Sequence, residues 1–198
     1  VVGISIVGIS QIIPGLTLAR MIKEKYPHLH ITLGGPIFSV NAGQLIGHPE
    51  FFDDFCHSVV TFEGEEPMHR LLSALKAGDS LSTVPNLLHL DGREVVQNKE
   101  RVELRFEELP HPDFDGLPMD KYLSPYPILP VLQSRGCYWG KCTFCTHSFV
   151  YGHRYGKQKT QAMVDELEKL MKKYNTKYFT FSDEAVSPHS LNDVSEEM

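Results

Sequence analysis

The sequence predicts an α/β protein that begins with a Rossmann-like, doubly wound parallel sheet and continues into a second α/β unit. Over the first 78 residues, short apolar runs alternate with helical patterns. Runs of this kind are typical of parallel strands that are covered on both faces. The same alternation starts again, once, after residue 130. Repeated strand–helix alternation indicates a parallel sheet with helices packed on its faces.

In the first domain, the strands are apolar runs, and the helices begin or end at proline and glycine. The predicted strands are Val1–Ile6, His30–Leu33 and Ser58–Phe62. The predicted helices run from Pro14 to Pro27 and from Pro67 to Gly78. The stretch after Pro36 is variable, and no element is assigned to it. Residues 1–84 are therefore expected to form one domain.

A hairpin and a proline-rich segment follow, over residues 85–130. Leu87–Leu90 and Glu94–Gln97 are predicted strands joined at Asp91-Gly92, because Asp-Gly tolerates the positive φ of a two-residue turn. Six of the thirteen prolines fall between Pro110 and Pro130. Because proline cannot continue a helix, we expect an interdomain linker with extended segments here.

Residues 131–198 are predicted to form the start of a second α/β domain. Its strands, Val131–Gln133 and Tyr178–Phe181, flank a helix, Gln161–Tyr174, whose apolar residues lie on one stripe. A single strand–helix–strand unit cannot bury both faces of a sheet, and the chain opens in a strand with Val rather than Met. We therefore expect a piece of a longer protein, cut at both ends.

The composition excludes several classes of protein. No stretch approaches 18 uninterrupted apolar residues, which excludes a membrane-spanning helix. No charged segment precedes an apolar run with a cleavage site, so we expect a cytoplasmic protein without membrane association. Acidic residues outnumber Lys and Arg by 25 to 19, for a net charge of −6. Nucleic-acid-binding proteins are generally basic, so the charge argues against nucleic acid as a partner.

Three of the four cysteines, Cys137, Cys142 and Cys145, fall within nine residues on a glycine-containing loop after a strand. Three thiolates this close in sequence can wrap one metal centre. We favour an iron–sulfur cluster with one open iron, because the fourth cysteine, Cys56, lies in the other domain. A zinc site completed by His147 and a set of three buried thiols remain as alternatives.

The segment around these cysteines is basic although the chain is acidic. From Arg135 to Lys159 the sequence has five Lys or Arg, two His and no Asp or Glu. Such a segment suits an anionic cluster and a ligand that carries a carboxylate. RNA-binding proteins use the same combination of basic and aromatic residues, so RNA binding remains a weaker alternative. The interleaved aromatic residues, which are expected to line a pocket, are Tyr138, Trp139, Phe144, Phe149, Tyr151 and Tyr155.

The segment that starts Ser134-Arg-Gly-Cys137, with the spacing Cys-x4-Cys-x2-Cys, resembles the cysteine loop of the radical S-adenosylmethionine superfamily. The resemblance covers nearly the whole chain and is to the subgroup with an N-terminal cobalamin-binding domain. It implies a 4Fe-4S cluster on Cys137, Cys142 and Cys145, with S-adenosylmethionine on the open iron. Reductive cleavage would then give a 5′-deoxyadenosyl radical that abstracts hydrogen from the substrate. The commonest spacing in the superfamily has three residues, not four, between the first two cysteines.

The strand ends Gly3-Ile4-Ser5 and Leu33-Gly34-Gly35-Pro36 lie at the carboxyl edge of the predicted sheet, where doubly wound folds bind ligands. The resemblance assigns roles to residues there and in the second domain. Phe144 matches the position that packs near the adenine of S-adenosylmethionine, and Asp183 and Glu184 match the region that contacts its methionine amino group. The second domain would be the first strand–helix–strand of a partial (β/α) TIM-like barrel. In the first domain, the residues that resemble the motifs holding the cobalamin nucleotide tail are Ser5, Gly34, Gly35, Glu63 and Gly64.

The resemblance implies a radical S-adenosylmethionine enzyme, with cobalamin as a further cofactor, that carries out methyl transfer or rearrangement. Its substrate would be an unknown small molecule or peptide, and its electron donor a protein such as flavodoxin or ferredoxin. Because most of the barrel would lie outside this chain, we expect no turnover by the chain alone. The alternative is a non-catalytic zinc- or cluster-stabilised binding module, for example one associated with RNA.

Overall fold

The chain folds into two compact units, Val1–Leu104 (unit 1) and Arg105–Met198 (unit 2). The computed structural model describes residues 1–102, 105–106 and 109–198. Four residues of the predicted hairpin and linker segment, at 103, 104, 107 and 108, lie outside the described residues. No helix in the described part of the chain is both long enough and apolar enough to cross a membrane.

Unit 1 is built around one five-stranded sheet in the order β1-β2-β3-β4-β5. The first three strands run parallel, and the last two add antiparallel to them. The strands are β1 Val2–Ser5, β2 Ile31–Gly34, β3 Ser58–Val60, β4 Leu87–Asp91 and β5 Glu94–Gln97. The sheet of unit 1 is thus mixed, whereas the sequence analysis expected a parallel sheet with the hairpin outside it.

Helices cover both faces of this sheet, as in a doubly wound fold. The helices of unit 1 are α1 Ile12–Lys25, α2 Pro36–Leu45, α3 Pro49–Phe55 and α4 Glu65–Ala77. On one face, Ala19, Phe38 and Phe52 pack with Leu33 and Val59 of the sheet. On the other face, α4 packs its Leu71 and Ala74 against Val60 and Leu87. The variable stretch after Pro36 therefore holds two helices that the sequence analysis did not assign.

The hairpin belongs to the sheet of unit 1 because β4 pairs with β3, with Val59 opposite Leu88. Leu87 and Leu88 of β4 are fully buried, one on each face. The structure accordingly divides the chain after Leu104 and not at residue 84. The sequence pattern marked the hairpin correctly but could not show which sheet it joins.

Unit 2 contains a parallel strand pair, an antiparallel strand pair and three helices among its described residues. The strands are β6 Ile128–Val131, β7 Ser134–Gly136, β8 Tyr155–Lys157 and β9 Tyr178–Phe181. The helices are α5 His147–Val150, α6 Thr160–Tyr174 and α7 Pro188–Glu197. β6 pairs with β9 in parallel, and β7 pairs with β8 antiparallel. The strand–helix–strand unit β6–α6–β9 matches the one expected from the sequence, with its first strand three residues earlier.

The core of unit 2 lies between the β6–β9 pair and two helices. Leu129 and Val131 of β6 pack against Val164 and Leu167 of α6, and Val194 of α7 closes the cluster. Part of the proline-rich segment packs here as well, because Phe114 and Met119 contact this core. The carboxylate of Asp113 accepts hydrogen bonds from Lys173 Nζ and the Tyr174 hydroxyl at 2.9 and 2.8 Å. This segment is therefore held against α6 rather than extended in solvent.

Candidate functional site

A cavity of about 460 Å³ lies in unit 1 where the three parallel strands end. Carboxyl ends of parallel strands are the usual ligand-binding edge of a doubly wound sheet. Four of the five residues assigned to a nucleotide tail line it: Ser5, Gly34, Gly35 and Gly64. The fifth, Glu63, does not line the cavity, and its carbonyl oxygen accepts a hydrogen bond from Asn86 Nδ2 at 3.3 Å. Three strand ends and the start of α4 thus bring most of the predicted positions together.

Gly35 is required by the backbone itself. Its φ is +112°, and a Cβ at this position would overlap the backbone of Ile6. α2 begins at the next residue, Pro36, so the positive end of its dipole lies at the edge of the cavity. The double glycine therefore permits a close chain approach and starts a helix beside the cavity.

Phe62 is a cavity residue that sequence analysis did not single out. Its φ of +59° is uncommon for a residue with a side chain. Its amide donates a hydrogen bond to Ser39 Oγ at 2.6 Å, and the guanidinium of Arg101 lies 3.7 Å from the centre of its ring. Strained backbone of this kind often occurs at functional sites, but no sequence signal marks it at a phenylalanine.

The cysteine loop of unit 2 starts from the β7–β8 strand pair. Gly136, the residue before Cys137, has a φ of +85°, and a Cβ there would overlap the carbonyl oxygen of Arg154. The glycine of the Ser-Arg-Gly-Cys segment is thus needed for the close approach of two strands. After the loop, α5 begins at His147 and leads the chain back to β8.

The three predicted cluster ligands are accessible but not gathered. Cys137 is half-buried, and Cys142 and Cys145 are exposed. The amide of Gly140 donates to the Cys137 sulfur at 3.4 Å, which orients the first thiol. Within residues 1–102, 105–106 and 109–198, no group of three His, Cys, Asp or Glu side chains is placed to hold a metal ion. The donor set suits an iron–sulfur cluster, but the loop is not a preassembled site.

Cys56 is a different kind of thiol. It lies in the core of unit 1 with 1% of its surface exposed. Burial raises the pKa of the Cys56 thiol to about 12, so the thiolate form that binds metals is strongly disfavoured there. This environment agrees with leaving Cys56 out of the ligand set.

The residues assigned to S-adenosylmethionine have three different environments. Phe144 is 88% exposed, so its ring is free to cover a ligand. Glu184 is exposed and forms an ion pair with Nδ1 of His147, the residue that starts α5. Asp183 is engaged internally, because its carboxylate accepts hydrogen bonds from the amides of Gln133 and Ser134 and from the Ser134 hydroxyl. The part played by Ser134 and Gln133 was not expected from the sequence.

The aromatic residues of the basic segment lie on the surface. The side chains of Tyr138, Trp139, Phe144 and Phe149 are between 42% and 88% exposed. Lys141 Nζ lies 5.2 Å from the centre of the Trp139 ring. The expectation that these aromatics line a pocket is therefore wrong for these four, which form an open basic and aromatic surface.

Two curated proteins are similar in sequence to most of this chain. No protein-family model matches the sequence. Over 170 residues the chain is 29% identical to an uncharacterized methyltransferase of Pyrococcus horikoshii. This match covers 85% of this chain and 36% of that protein. Over 189 residues it is 26% identical to the anaerobic magnesium-protoporphyrin IX monomethyl ester cyclase of Cereibacter sphaeroides. This match covers 90% of this chain and 30% of that protein.

Solved structures match almost the full length of the chain. The structure of the cobalamin-dependent S-adenosylmethionine radical enzyme OxsB with aqua-cobalamin bound superposes with a TM-score of 0.75 at 23% identity. It covers 99% of this chain and 28% of that protein. The radical S-adenosylmethionine methyltransferase TsrM from Kitasatospora setae, with cobalamin and a 4Fe-4S cluster bound, gives a TM-score of 0.63 at 20% identity. It covers 98% of this chain and 39% of that protein.

This chain has the fold of the matching segments of OxsB and TsrM. The resemblance drawn from the cysteine segment is thereby confirmed. The sequence relatives and the solved structures that match this chain are enzymes by name, as expected from the sequence. The chain spans about a third of the length of the curated relatives that it matches.

Proposed function

We propose that this chain is part of a cobalamin-dependent radical S-adenosylmethionine enzyme that transfers a methyl group to, or rearranges, a small molecule or peptide. One observation carries the proposal. A glycine-lined cavity at the edge of a parallel sheet is followed, in the same chain, by a Cys-x4-Cys-x2-Cys loop between strands. Each feature alone is compatible with other functions. In this subgroup the cobalamin-binding domain likewise precedes the domain that carries the cysteine loop.

Cys137, Cys142 and Cys145 would hold the 4Fe-4S cluster. Three thiols leave one iron of such a cluster without a protein ligand, which is where S-adenosylmethionine would bind. The exposed positions of Cys142 and Cys145 allow the loop to close around a metal centre. Metal binding commonly completes the folding of its own loop, so we expect the thiols to converge on assembly.

When bound, the cluster would supply the electron that cleaves S-adenosylmethionine, and cobalamin would carry the methyl group. The residues of this chain bind and orient. Phe144, between two cysteines and exposed, would cover the adenine of S-adenosylmethionine. Glu184, at the end of β9, would accept hydrogen bonds from the methionine amino group, with His147 Nδ1 fixing the carboxylate.

Asp183 would act as a positioning residue. Both of its carboxylate oxygens are used by the backbone of Gln133 and by Ser134, at the point where the cysteine loop begins. It would therefore fix the start of the cysteine loop to the segment after β9 rather than contact S-adenosylmethionine directly. Of the two residues that the resemblance assigned to the methionine amino group, only Glu184 would then contact it.

Cobalamin would occupy the cavity of unit 1. Gly34, Gly35 and Gly64 line it without side chains, and Ser5 adds a hydroxyl at the end of β1. Glycine lets a bulky ligand approach the backbone closely. The β6–α6–β9 unit would be the first segment of a TIM-like barrel that encloses the substrate.

The open surface around the cysteines would receive an electron donor such as flavodoxin or ferredoxin. Lys141 and Trp139 lie on it together, and the segment from residue 135 to 159 has no acidic side chain. Such a surface attracts an acidic partner and speeds its association. RNA, which the same charge would also attract, is the alternative partner.

Anaerobic reconstitution with iron and sulfide tests the cluster. We expect a brown protein with about four iron atoms per chain, and we expect Cys142→Ala to lose most of the iron. Cys56→Ala is the matched control, because it removes the buried thiol of unit 1 and should retain the iron. A colourless protein with one zinc per chain would instead favour a zinc-stabilised binding module. Circular dichroism checks that both variants are folded.

A further inference from the structure

One face of the sheet in unit 1 is bare of apolar side chains where β1 and β2 run together. Gly3 lies opposite Thr32, and Ser5 lies opposite Gly34. Residues two apart on a strand share a face, so these four positions form one patch of glycine and hydroxyl residues. Strands of a doubly wound sheet are normally apolar on both faces, because helices cover both. The opposite face follows that rule, since Ile4 and Leu33 pack into the core.

The cavity lies over this patch, with Met68 of α4 on its other side. Gly3 and Thr32 both line it. Each lies two residues before the last residue of its strand, so the cavity reaches inward from the edge marked by Ser5 and Gly34. The strand-end segment Gly3-Ile4-Ser5 could be marked from the sequence, but Thr32 could not.

No contact among the described residues requires a glycine at position 3. Its φ is not in the left-handed region, and a Cβ there would be 3.5 Å from Met68 Cε and 3.8 Å from Thr32 Cγ2. These are ordinary van der Waals separations, so an alanine would fit the fold and would only reduce the cavity. Gly35, by contrast, is required by its backbone. The missing side chain at position 3 therefore serves to keep space open.

Thr32 supplies a second, independent observation. It is 3% exposed, and its hydroxyl has no hydrogen-bond partner among the described residues. An unsatisfied buried hydroxyl is costly and uncommon in a folded protein. Valine has the same shape and is the more usual residue in a buried strand. A ligand atom that hydrogen-bonds this hydroxyl would account for a threonine at this position.

We propose that Gly3 and Thr32 form the inner end of the cobalamin site and select among cobamides by their lower base. The proposal rests on the cobalamin-binding function proposed above. Gly3 makes room for a flat ring against the sheet, and the Thr32 hydroxyl favours a ring that offers a nitrogen acceptor or donor. An adenine base offers such nitrogens, whereas the outer edge of dimethylbenzimidazole carries only carbon. The site thus prefers an adenine-containing cobamide to cobalamin.

Titration of the 198-residue chain with each cobamide, followed by visible absorption, tests this selection. We expect the wild type to bind the adenine cobamide about fivefold more tightly than cobalamin, as for one net hydrogen bond. Thr32→Val should abolish the preference, and Thr32→Ser, which keeps the hydroxyl, should retain it. Equal binding of both cobamides by the wild type, or an unchanged preference in Thr32→Val, would overturn the role of Thr32.

Gly3→Ala tests independently whether the ligand occupies the space beside Gly3. We expect it to weaken both cobamides by at least tenfold while the thermal unfolding midpoint stays near that of the wild type. Gly43→Ala is the matched control, because a Cβ at Gly43 has no atom within 4 Å and lies in α2. If Gly3→Ala binds as tightly as Gly43→Ala, the inner end is not occupied by the ligand. If the wild type binds neither cobamide, the cobalamin function itself fails, and this result is distinct from a loss of selection.

Discussion

The carboxylate of Asp183 accepts hydrogen bonds from both the amide and the hydroxyl of Ser134, which connects the end of β9 to the start of the cysteine loop. The second oxygen of Asp183 accepts the amide of Gln133 at 3.0 Å. Hydrogen bonds to an ionised carboxylate are stronger than those between neutral groups. Two segments that are about fifty residues apart in sequence are therefore fixed by one side chain.

Asp183→Asn is expected to destabilise unit 2 by about 2 kcal/mol, because an amide cannot accept at both positions and loses the charge. Urea unfolding at neutral pH measures this change. The same variant is expected to reconstitute with less iron, although all three cysteines remain.

Asp193→Asn is the matched control for this change, because Asp193 is an exposed carboxylate on α7. We expect it to alter the free energy of unfolding by less than about 0.5 kcal/mol. A wild-type iron content in Asp183→Asn would show that Asp183 stabilises the fold without organising the cysteine loop.

Gly136 and Gly140 both have positive φ on the cysteine segment, but only at Gly136 would a Cβ overlap backbone atoms. Gly136→Ala should cost more than about 3 kcal/mol, because its Cβ would overlap the Arg154 carbonyl and force β7 and β8 apart. Gly140→Ala should cost about 1 kcal/mol, because its nearest atom, the carbonyl oxygen of Cys137, lies 3.6 Å from the Cβ position. Thermal unfolding of the two variants shows which one loses more stability. Equal losses of stability would contradict the predicted overlap at Gly136.

Lys23 lies on α1 and stabilises the end of α3. Its Nζ donates to the carbonyl oxygens of Phe52, Asp53 and Cys56 at 2.6, 2.8 and 3.3 Å. These carbonyls lie at the C-terminal end of α3, where a cation is favourable. Lys23→Met should lower the free energy of unfolding by about 2 kcal/mol. Lys25→Met, at an exposed lysine of the same helix, should change it by less than about 0.5 kcal/mol in the same urea titration.

The strands and the longer helices could be predicted because their residues repeat with a clear period. α6 is the best example, with Val164, Leu167 and Leu170 buried on one stripe. α3 was missed because it has seven residues and depends on a tertiary contact, the cap by Lys23. β6 was placed too late because Pro130 lies inside it, and proline is uncommon within strands. Period and turn residues identify elements, but contacts between distant segments do not leave a local pattern.

Some residues of the candidate site could likewise be predicted from a local sequence motif, and others could not. Gly34, Gly35 and Gly64 could be found because motifs at strand ends mark a ligand edge. Thr32 could not, because a single threonine in an apolar strand has many explanations until its hydroxyl is seen to lack a partner. The internal use of Asp183 was equally hidden, since Ser134 is distant in sequence.

His30 and His57 lie beside each other at the starts of β2 and β3, with ring centres 5.1 Å apart. Burial, together with the neighbouring His57 and the N-terminal amino group, lowers the pKa of His30 to about 4. Burial, together with the charge of Lys23, lowers the pKa of His57 as well. The folded chain therefore holds both rings neutral at pH values where free histidine is protonated.

In the unfolded chain these histidines take up protons near pH 6.5, whereas folded His30 does so only near pH 4. The free energy of unfolding should therefore be unaffected by this pair above pH 6.5 and should fall steadily between pH 6.5 and 4. His30→Gln, which cannot titrate, should reduce that slope in urea titrations at pH 7.5, 6 and 5. His28→Gln, at an exposed histidine, should keep the wild-type slope. Identical slopes for the two variants would mean that other groups cause the acid sensitivity, because the buried ring would then titrate equally in both states.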